Sequence, residues 1–350
     1  MKPGDLLIAG LGDERNPVGR ACIAPENLGP AIVKADCFRA RLDERRVTHR
    51  FAAWALSSAL LSDQVAAMSR GSTRTRINLD VVREIRIPVP NPEEQRRIAD
   101  FLDAETGRIE RLKQQRRRQI DLLESSEDSV LSEHLEATTA APRRVKHLTT
   151  RITSGPRGWG DFAADTGSLF LRITNIPRRG ITLDLSDPLY VAAPPGPERE
   201  RSRTQIGDVL VSITADIGSV AVVDDRGADG NISQHVALVR PNKDACDATW
   251  LAYAIRSARS NQVLQMNSYG GTKVGLGLAD VANLSVLAPN LQTQRRLALK
   301  ISESVAARKR LRSQLEQQYA SLTERRQALI MAMVTGHIDV STASGRGIED

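Results

Sequence analysis

The chain has 350 residues, of which 41% are hydrophobic and only 3% aromatic, and its formal net charge is +7 at pH 7. This length accommodates two domains, and the composition excludes a disordered or fibrous protein. Scarce aromatic residues argue against the base-stacking platforms of single-strand binders. The basic balance, with a pI near 9.6, favours a polyanionic partner.

The three cysteines, Cys22, Cys37 and Cys246, form no closely spaced pair. They argue against a disulfide framework or a zinc site and favour a reducing compartment. The first residues reach acidic side chains and proline too early for a signal peptide, and no apolar run approaches about 18 residues. The sequence therefore predicts a cytoplasmic protein without a membrane segment.

An internal repeat organises the chain. Residues 71–98 align without a gap onto residues 270–297, at an offset of 199 positions. Self-similarity of this extent indicates a tandem duplication. Within this alignment Gln95–Arg97 matches Gln294–Arg296. Upstream the similarity continues more loosely, with Gly4–Leu7 (GDLL) resembling Gly207–Leu210 (GDVL).

Within each copy, the predicted order is a β-rich segment, a short helix, a loop that contains glycine, another short strand and a long helix. Period-2 apolar runs predict strands, most clearly at 209–213 and 219–223. Asn91 can cap the first long helix, and Pro92 suits its first position. This helix is predicted to continue to about Leu135, and its counterpart spans about 293 to 334.

Each long helix carries a narrow apolar stripe on a charged rod, because apolar residues recur at spacings of three and four or their sums. Two helices roughly 60 Å long would bury these stripes against each other, antiparallel if the duplicated domains sit at opposite ends. The run Arg116–Arg118 favours a solvated face, with a place near a phosphate backbone as the alternative. The stripe residues are Ile98, Leu102, Ile109, Leu112, Ile120, Leu123, Val130 and Leu135 in the first helix and Leu297, Ile301, Val305, Leu311, Leu315, Leu322 and Leu329 in the second.

Catalytic motifs are absent from the sequence. It lacks a phosphate-binding loop and the signatures of zinc proteases and esterases, and its five histidines are scattered. His235 is more readily explained as a satisfied strand residue than as a catalytic one. The chain is therefore predicted not to be an enzyme.

The loops before the last strand of each copy are the first candidates for DNA contact. Both combine hydroxyls, basic side chains and glycine, which suit phosphate contacts, although a solvated turn is the alternative. The candidates are Arg70, Ser72, Thr73, Arg74 and Arg76 in the first loop, and Thr272 and Lys273 in the second.

Donors elsewhere in the second copy could read base edges. In the major groove, arginine pairs with guanine, and asparagine or glutamine pairs with adenine. The sequence supports a structural role for each of these residues almost equally well. The candidates are Arg157, Trp159, Arg172, Asn175, Asn231 and Gln234.

Duplicated β-rich segments that end in IPVPNPEEQRRIADFLD and continue into long helices resemble the specificity subunit of Type I restriction–modification systems, over nearly the whole chain. The family-typical motif IP-x-P-x-x-x-EQ-x-x-I occupies Ile87–Ile98, and the GD-x-L element and the basic glycine loops are also typical of this family. The resemblance implies an α+β fold. Two β-rich target-recognition domains in tandem would be separated by two long antiparallel coiled-coil helices.

The resemblance also implies a function and partners. Each recognition domain would read one half of a bipartite, asymmetric target in double-stranded DNA, and the paired helices would set the spacing. Two methyltransferase (M) subunits and a restriction (R) subunit would dock on the chain. No cofactor is expected on this chain itself, since S-adenosylmethionine, ATP and Mg²⁺ would belong to the partner subunits.

The first predicted domain departs from the family pattern. Only three residues precede GDLL, whereas 64 residues, 143–206, precede GDVL in the second copy. A start codon assigned too late, a truncated gene or a second chain that completes the domain would each explain the difference. The predicted bounds are 1–90 for the N-terminally incomplete first recognition domain, 91–137 for the first spacer helix, 143–290 for the second recognition domain, 291–336 for the second spacer helix and 337–350 for a flexible tail.

Two other functions stay open at this point. A non-catalytic coiled-coil interaction scaffold, including an inactive truncated specificity subunit, would explain the helices and leave the basic charge incidental. An enzyme, such as a stand-alone methyltransferase or nuclease, is disfavoured by the missing cofactor and metal motifs.

Overall fold

The computed structural model describes residues 1–13, 16–34, 36–69, 75–268 and 275–338. By its internal contacts, the chain divides into two units. One comprises Met1–Ile120 with Ser313–Asp350, and the other comprises Asp121–Arg312.

The first unit combines short strands with short helices before the long helix begins. In chain order these are β1 (Leu6–Ala9), β2 (Leu11–Gly12), β3 (Ala21–Ile23), β4 (Cys37–Ala40), α1 (His49–Leu56), α2 (Ala59–Met68), β5 (Thr75–Arg76) and α3 (Leu79–Glu84). Strand β1 lies between β3 and β4 in an antiparallel sheet, and β2 pairs with β5. Alternate residues of β1, Leu6 and Ile8, are buried against α1 and α2.

The predicted short helix of this copy is two helices, α1 and α2. Ser57 ends α1, and the next residue, Ser58, is the N-cap of α2. Its hydroxyl accepts a hydrogen bond from the Leu61 N–H at 3.4 Å. Serine competes well for free N–H groups at a helix start, so the Ser57–Ser58 pair divides one apolar run into two helices.

The two long helices are α4 (Pro92–Glu136) and α9 (Leu291–Val334). The Asn91 side chain accepts a hydrogen bond from the Glu94 N–H at 2.9 Å, and Asn290 does the same for Thr293. These contacts confirm the predicted cap and the predicted start of the first helix.

The long helices are antiparallel within each unit. In the first unit, Glu110 lies 3.2 Å from Arg326, and the Lys113 ammonium lies 5.2 Å from the centre of the Tyr319 ring. In the second unit, residues further along α4 meet earlier residues of α9, as in the 3.0 Å ion pair of Glu124 with Arg312. The predicted antiparallel arrangement is confirmed.

The predicted stripe on α9 is wrong at one position. Leu311 is 46% exposed, while Leu315 is buried. The positions that turn toward α4 are instead Arg308, whose Nε lies 3.4 Å from Ser126 Oγ, and Arg312. Polar residues form the contact between α4 and α9 at this level. A prediction based on apolar spacing alone therefore selects the neighbouring leucine, Leu311.

The second unit carries more strands than the first. They and the short helices are β6 (Pro142–Arg144), β7 (Thr149–Ser154), β8 (Ala163–Ala164), β9 (Ser168–Leu171), β10 (Tyr190–Val191), α5 (Pro197–Ser202), β11 (Val209–Ser212), β12 (Val220–Val222), β13 (Asn231–Ile232), β14 (Val236–Pro241), α6 (Ala248–Arg256), α7 (Ala258–Ser268), α8 (Leu278–Asn283) and β15 (Ser285–Leu287). Strands β11 and β12 lie at the period-2 runs and confirm them.

Two four-stranded sheets organise this unit. One has the order β12-β11-β14-β7 and the other β13-β9-β10-β8, while β6 pairs with β15. The first sheet packs on α6 around the fully buried Trp250, in an aliphatic core. The mixed α+β architecture predicted from the sequence is confirmed.

Candidate nucleic-acid interface

Three strands of the second unit end at one place. Strands β9 and β13 are parallel, with Ile232 opposite Leu171, and the Ser233 N–H donates to the Leu171 carbonyl at 2.9 Å. Strand β7 ends beside them, since the Gly155 N–H donates to the Ser233 carbonyl at 3.2 Å. We call residues 155–159, Arg172 and residues 233–235 the strand-end surface.

Glycine at position 155 is required by this meeting of strands. A Cβ atom on Gly155 would lie 1.8 Å from the Ile232 carbonyl oxygen, which no side chain tolerates. Further along the turn, Gly158 has a φ of +76°, a conformation that favours glycine. The indole of Trp159 is buried against Phe170 and Val191.

Between these anchors, Arg157 is exposed. The turn thus holds one arginine in solvent on a fixed backbone, as a base or phosphate contact requires. The sequence predicts a base contact for Trp159, but in this structure its ring is part of the core and anchors the turn. DNA contact by either residue stays a prediction.

Arg172 occupies the strand-end surface with its guanidinium incompletely paired. Its Nη2 donates to the Asp187 carbonyl at 3.1 Å and lies 3.4 Å from the Asp187 carboxylate, while its buried Nε has no hydrogen-bond partner in the described part of the chain. Asn175 supports this segment from inside: its Oδ1 accepts the Arg172 N–H and its Nδ2 donates to the Asp184 carbonyl, both at 2.9 Å.

Asn231 is also an internal support. It is 1% exposed, its Nδ2 donates to the Arg199 carbonyl and to Ser202 Oγ at 2.8 Å, and its Oδ1 accepts from Ser168 Oγ at 2.7 Å. The amides of Asn231 and Asn175 are thus occupied by protein partners. Base reading by these two residues, predicted from residue type, is not favoured by their positions.

Gln234 lies on the strand-end surface, half-buried, and its amide makes no hydrogen bond within the described residues. The Ser233 hydroxyl beside it is buried and also lacks a partner there. Arg157 and Gln234 are therefore predicted residues with open donors on this surface, and Arg172 lies on it with an unpaired Nε that is buried.

The glycine loops of both copies lie mostly outside the described residues. This applies to Thr272 and Lys273 and to Arg70, Ser72, Thr73 and Arg74. After the second loop, the Leu276 N–H donates to the Ile213 carbonyl at 2.8 Å, and the Ile213 N–H donates to the His235 carbonyl at 3.1 Å. The chain therefore re-enters the described structure beside the strand-end surface.

The first copy has a matching contact after its loop, from the Ile77 N–H to the Gly10 carbonyl at 3.0 Å. Arg76, just before it on β5, is exposed and lies 3.7 Å from the Asp36 carboxylate. This arginine stays a candidate for phosphate contact.

The sequence motifs that repeat most clearly contain residues that are buried in the fold. Gln95 is fully buried: its Nε2 donates to the Arg46 and Pro90 carbonyls at 2.8 Å, and its Oε1 accepts the Thr48 N–H at 2.9 Å. Because Thr48 is the N-cap of α1, this glutamine joins the start of α4 to the start of α1.

Gln294 repeats this joint in the second unit. Its Nε2 donates to the Ala245 and Pro289 carbonyls at 3.2 and 2.8 Å, and its Oε1 accepts the N–H of Asp247, the N-cap of α6, at 2.9 Å. The glutamine of the motif IP-x-P-x-x-x-EQ-x-x-I therefore joins two helix starts in each unit. This structural role was not predicted from the sequence.

The GD element is a turn in which aspartate is buried. Gly207 has a φ of +88°, and the Asp208 carboxylate accepts the Gln205 N–H at 2.8 Å. Asp208 also accepts two hydrogen bonds from Arg240, both at 2.7 Å, and these raise the pKa of Arg240.

The equivalent turn of the first unit has weaker ionic partners. The Lys2 N–H donates to Asp5 at 2.8 Å and lowers the pKa of its carboxyl. Arg39 and Arg41 lie 3.7 and 3.8 Å away.

Within the described residues, no helix has the length and hydrophobicity needed to cross a membrane. The same part of the chain contains no group of three or more side chains that could hold a metal ion.

The chain is similar to known proteins in a stretch of its sequence and in its fold. Residues 4–122 match the sequence model of the Type I restriction modification DNA specificity domain. No curated protein matches the chain significantly.

Two solved structures share the fold. A chain from a study of complex assembly and conformational transition of the type I R-M system is 20% identical, with a TM-score of 0.81 over 97% of this chain and 83% of the other. The HsdS subunit from Thermoanaerobacter tengcongensis is 21% identical, with a TM-score of 0.59 over 97% of this chain and 82% of its own.

At these identities the structural similarity shows the fold alone, and the match to the family model covers residues 4–122, about a third of the chain. Residues 4–122 are therefore similar to the DNA specificity domain of Type I restriction–modification systems, and the chain's resemblance to their specificity subunits is confirmed.

Proposed function

We propose that the chain reads a bipartite, asymmetric target in double-stranded DNA, one half through each unit. The observation that carries this proposal is the duplicated framework. The same order of three strands, the helices and the glutamine junction recur in both units, while the strand-end surface belongs to segments that differ between them. Similar frameworks with different surfaces suit two half-sites of different sequence.

The reading of the second half-site rests on open donors. Arg157 and Arg172 suit guanine, and the free amide of Gln234 suits adenine. Supports such as Asn175 and Asn231 would fix the segments that carry these donors without contacting DNA.

The chain would be a non-catalytic subunit of a larger complex. The DNA specificity family is generally non-catalytic. One structure with the same fold comes from a study of how the type I R-M system assembles into a complex. We expect M subunits and an R subunit as partners. They would supply S-adenosylmethionine, ATP and Mg²⁺, and this chain would bind none of them.

A methylome comparison tests this function. The gene is co-expressed with its neighbouring methyltransferase gene, and host DNA is sequenced by a single-molecule method with and without it. The expected result is a gapped, asymmetric adenine-methylation motif that disappears when the gene is deleted. A motif that survives deletion contradicts the proposal, and absence of any motif would favour the scaffold function.

Point variants assign the half-site. Arg157→Ala combined with Gln234→Ala should relax one half of the motif and leave the other half unchanged, because both residues lie on the second unit's surface. The matched control is Arg226→Ala, an exposed arginine held by its neighbour Asp224 at 2.6 Å. A variant motif equal to the wild-type motif would remove these residues from base reading.

A further inference from the structure

A polar cleft opens beside strand β7 of the second unit, apart from the residues of the strand-end surface. Its volume is about 830 Å³. Strand β7 supplies Arg151 and Thr153, which lie two residues apart and so on one face of the strand. The charged residues that also line it are Glu200, Arg201, Arg203, Asp229 and Arg240.

Two of the four arginines in this cleft are neutralised by protein carboxylates. Arg240 makes its paired hydrogen bonds with Asp208, and Arg203 lies 2.9 Å from Asp229 and 3.9 Å from Glu200. Counted against Asp208, Asp229 and Glu200, the four arginines leave the cleft with one surplus positive charge.

The other two arginines, Arg151 and Arg201, are not paired with any carboxylate among the described residues. Arg151 is exposed and makes no side-chain hydrogen bond there. Arg201 donates from Nη1 to the Thr153 hydroxyl and to the Ser154 carbonyl, both at 2.7 Å. Its acceptors are neutral, so its position is fixed while its charge is uncompensated.

Such an arrangement suits the binding of an anion. A guanidinium held by neutral partners keeps free N–H donors and has already given up much of its conformational freedom, which lowers the cost of binding. Arginine forks match phosphate oxygens in geometry, and such charge-assisted hydrogen bonds are strong.

We propose that Arg151 and Arg201 bind backbone phosphates of duplex DNA in the cleft beside β7. The proposal rests on the DNA-reading function above. It adds phosphate contacts, which contribute to affinity for DNA, to the base contacts that would give sequence specificity. Strand β7 links the two places, since it lines the cleft at Arg151 and enters the strand-end surface at Gly155.

The test is the salt dependence of DNA binding. The full chain binds a fluorescent 40-base-pair duplex of random sequence, and affinity is measured by anisotropy at several KCl concentrations. For duplex DNA, the slope of log affinity against log salt changes by about 0.9 for each phosphate that the protein neutralises. We expect Arg151→Gln to reduce the slope by about 0.9 and the double variant with Arg201→Gln by about 1.8.

At fixed salt, each variant should bind roughly tenfold more weakly, as expected when a charge-assisted hydrogen bond is removed. The weakening should be the same for any duplex sequence, because phosphates carry no sequence information. Arg226→Gln is the matched control, since it removes one exposed positive charge from the same unit outside the cleft.

Arg201 also joins α5 to β7, so its variant is checked by thermal unfolding. Arg151 has no such bond and carries the test alone if the Arg201 variant unfolds. Wild-type slopes in the Arg151 variant overturn the inference. Absence of salt-dependent binding by the wild type instead contradicts the proposed function, so the two failures are distinguishable.

Discussion

The two copies share a framework and differ in what is attached to it. Strands β3, β1 and β4 of the first unit follow the same order as β12, β11 and β14 of the second. In the second unit β7 pairs with the outer edge of β14, whereas no strand in the described part of the first unit pairs with that edge of β4. The additional strands also build the strand-end surface and the arginine cleft.

The comparison separates two kinds of residue. Those that match between the copies, such as the GD aspartates and the junction glutamines, are buried and hold the framework. The candidates on the strand-end surface, Arg157, Arg172 and Gln234, occur where the copies differ. Matched substitutions at equivalent positions of the two units test this division.

The largest expected effect is in the cores. Phe51 and Trp250 occupy equivalent positions at the offset of 199, and both are fully buried. Phe51→Ala and Trp250→Ala should each lower the free energy of unfolding of their own unit by about 3–5 kcal/mol. Urea unfolding measures the loss of stability, and hydrogen exchange of backbone amides shows which of the two units is destabilised. A decrease below about 1 kcal/mol at either position would contradict the equivalence of the two cores.

The junction glutamines should give the next largest effect. Gln95→Leu and Gln294→Leu each leave one N–H and two carbonyls without a partner. Each should therefore lower the free energy of unfolding by roughly 2–4 kcal/mol. The exposed Gln317, on α9, provides the control Gln317→Leu, which should be close to neutral. If only one of the two buried variants is destabilised, the glutamine junction does not stabilise both units in the same way.

The GD aspartates should differ, and this sharpens the comparison. Asp208→Asn breaks the pair with Arg240, whose side chain is 18% exposed, and should cost about 1–3 kcal/mol in the free energy of unfolding. Asp5→Asn should cost less, because Arg39 and Arg41 are more exposed and more distant. Equal destabilisation at both positions would contradict this interpretation of the ion pairs.

The pKa of Asp5 adds a pH dependence. The hydrogen bond from the Lys2 N–H holds the pKa of the Asp5 carboxyl below its ordinary value in the folded state. The stability it contributes is present above the unfolded-state pKa and is lost as pH falls through the folded-state pKa. Unfolding of the first unit measured from pH 6 to pH 2 should therefore show an acid destabilisation that is smaller in Asp5→Asn. Identical pH profiles for the two proteins would remove Asp5 from this role.

Much of the framework could be predicted from the sequence because its signals are local or repeated. Asn91 and Pro92 mark a helix start by their own chemistry, and the offset of 199 aligns whole elements. The division of one helix into α1 and α2 was not predicted, since Ser57 and Ser58 act through backbone contacts that apolar spacing does not reveal.

The candidate site was less predictable because the same side chains serve two purposes. Asn231 and Gln234 both carry amides, and only tertiary contacts distinguish the saturated amide from the open one. Arg201 lies in the charged run of α5, which resembles a solvated face in sequence. Its neutral partners, Thr153 and Ser154, are some 47 residues away.

The junction glutamines bond only to main-chain atoms: a peptide N–H and two peptide carbonyls in each copy. Every residue type offers these carbonyls, and every type except proline offers the N–H. The joint therefore places almost no demand on the identity of its neighbours, and Thr48 and Arg46 in one copy stand where Asp247 and Ala245 stand in the other. A connection of this kind tolerates mutation on all sides, so the surfaces around it can diverge toward new DNA sequences while the attachment to the long helix persists.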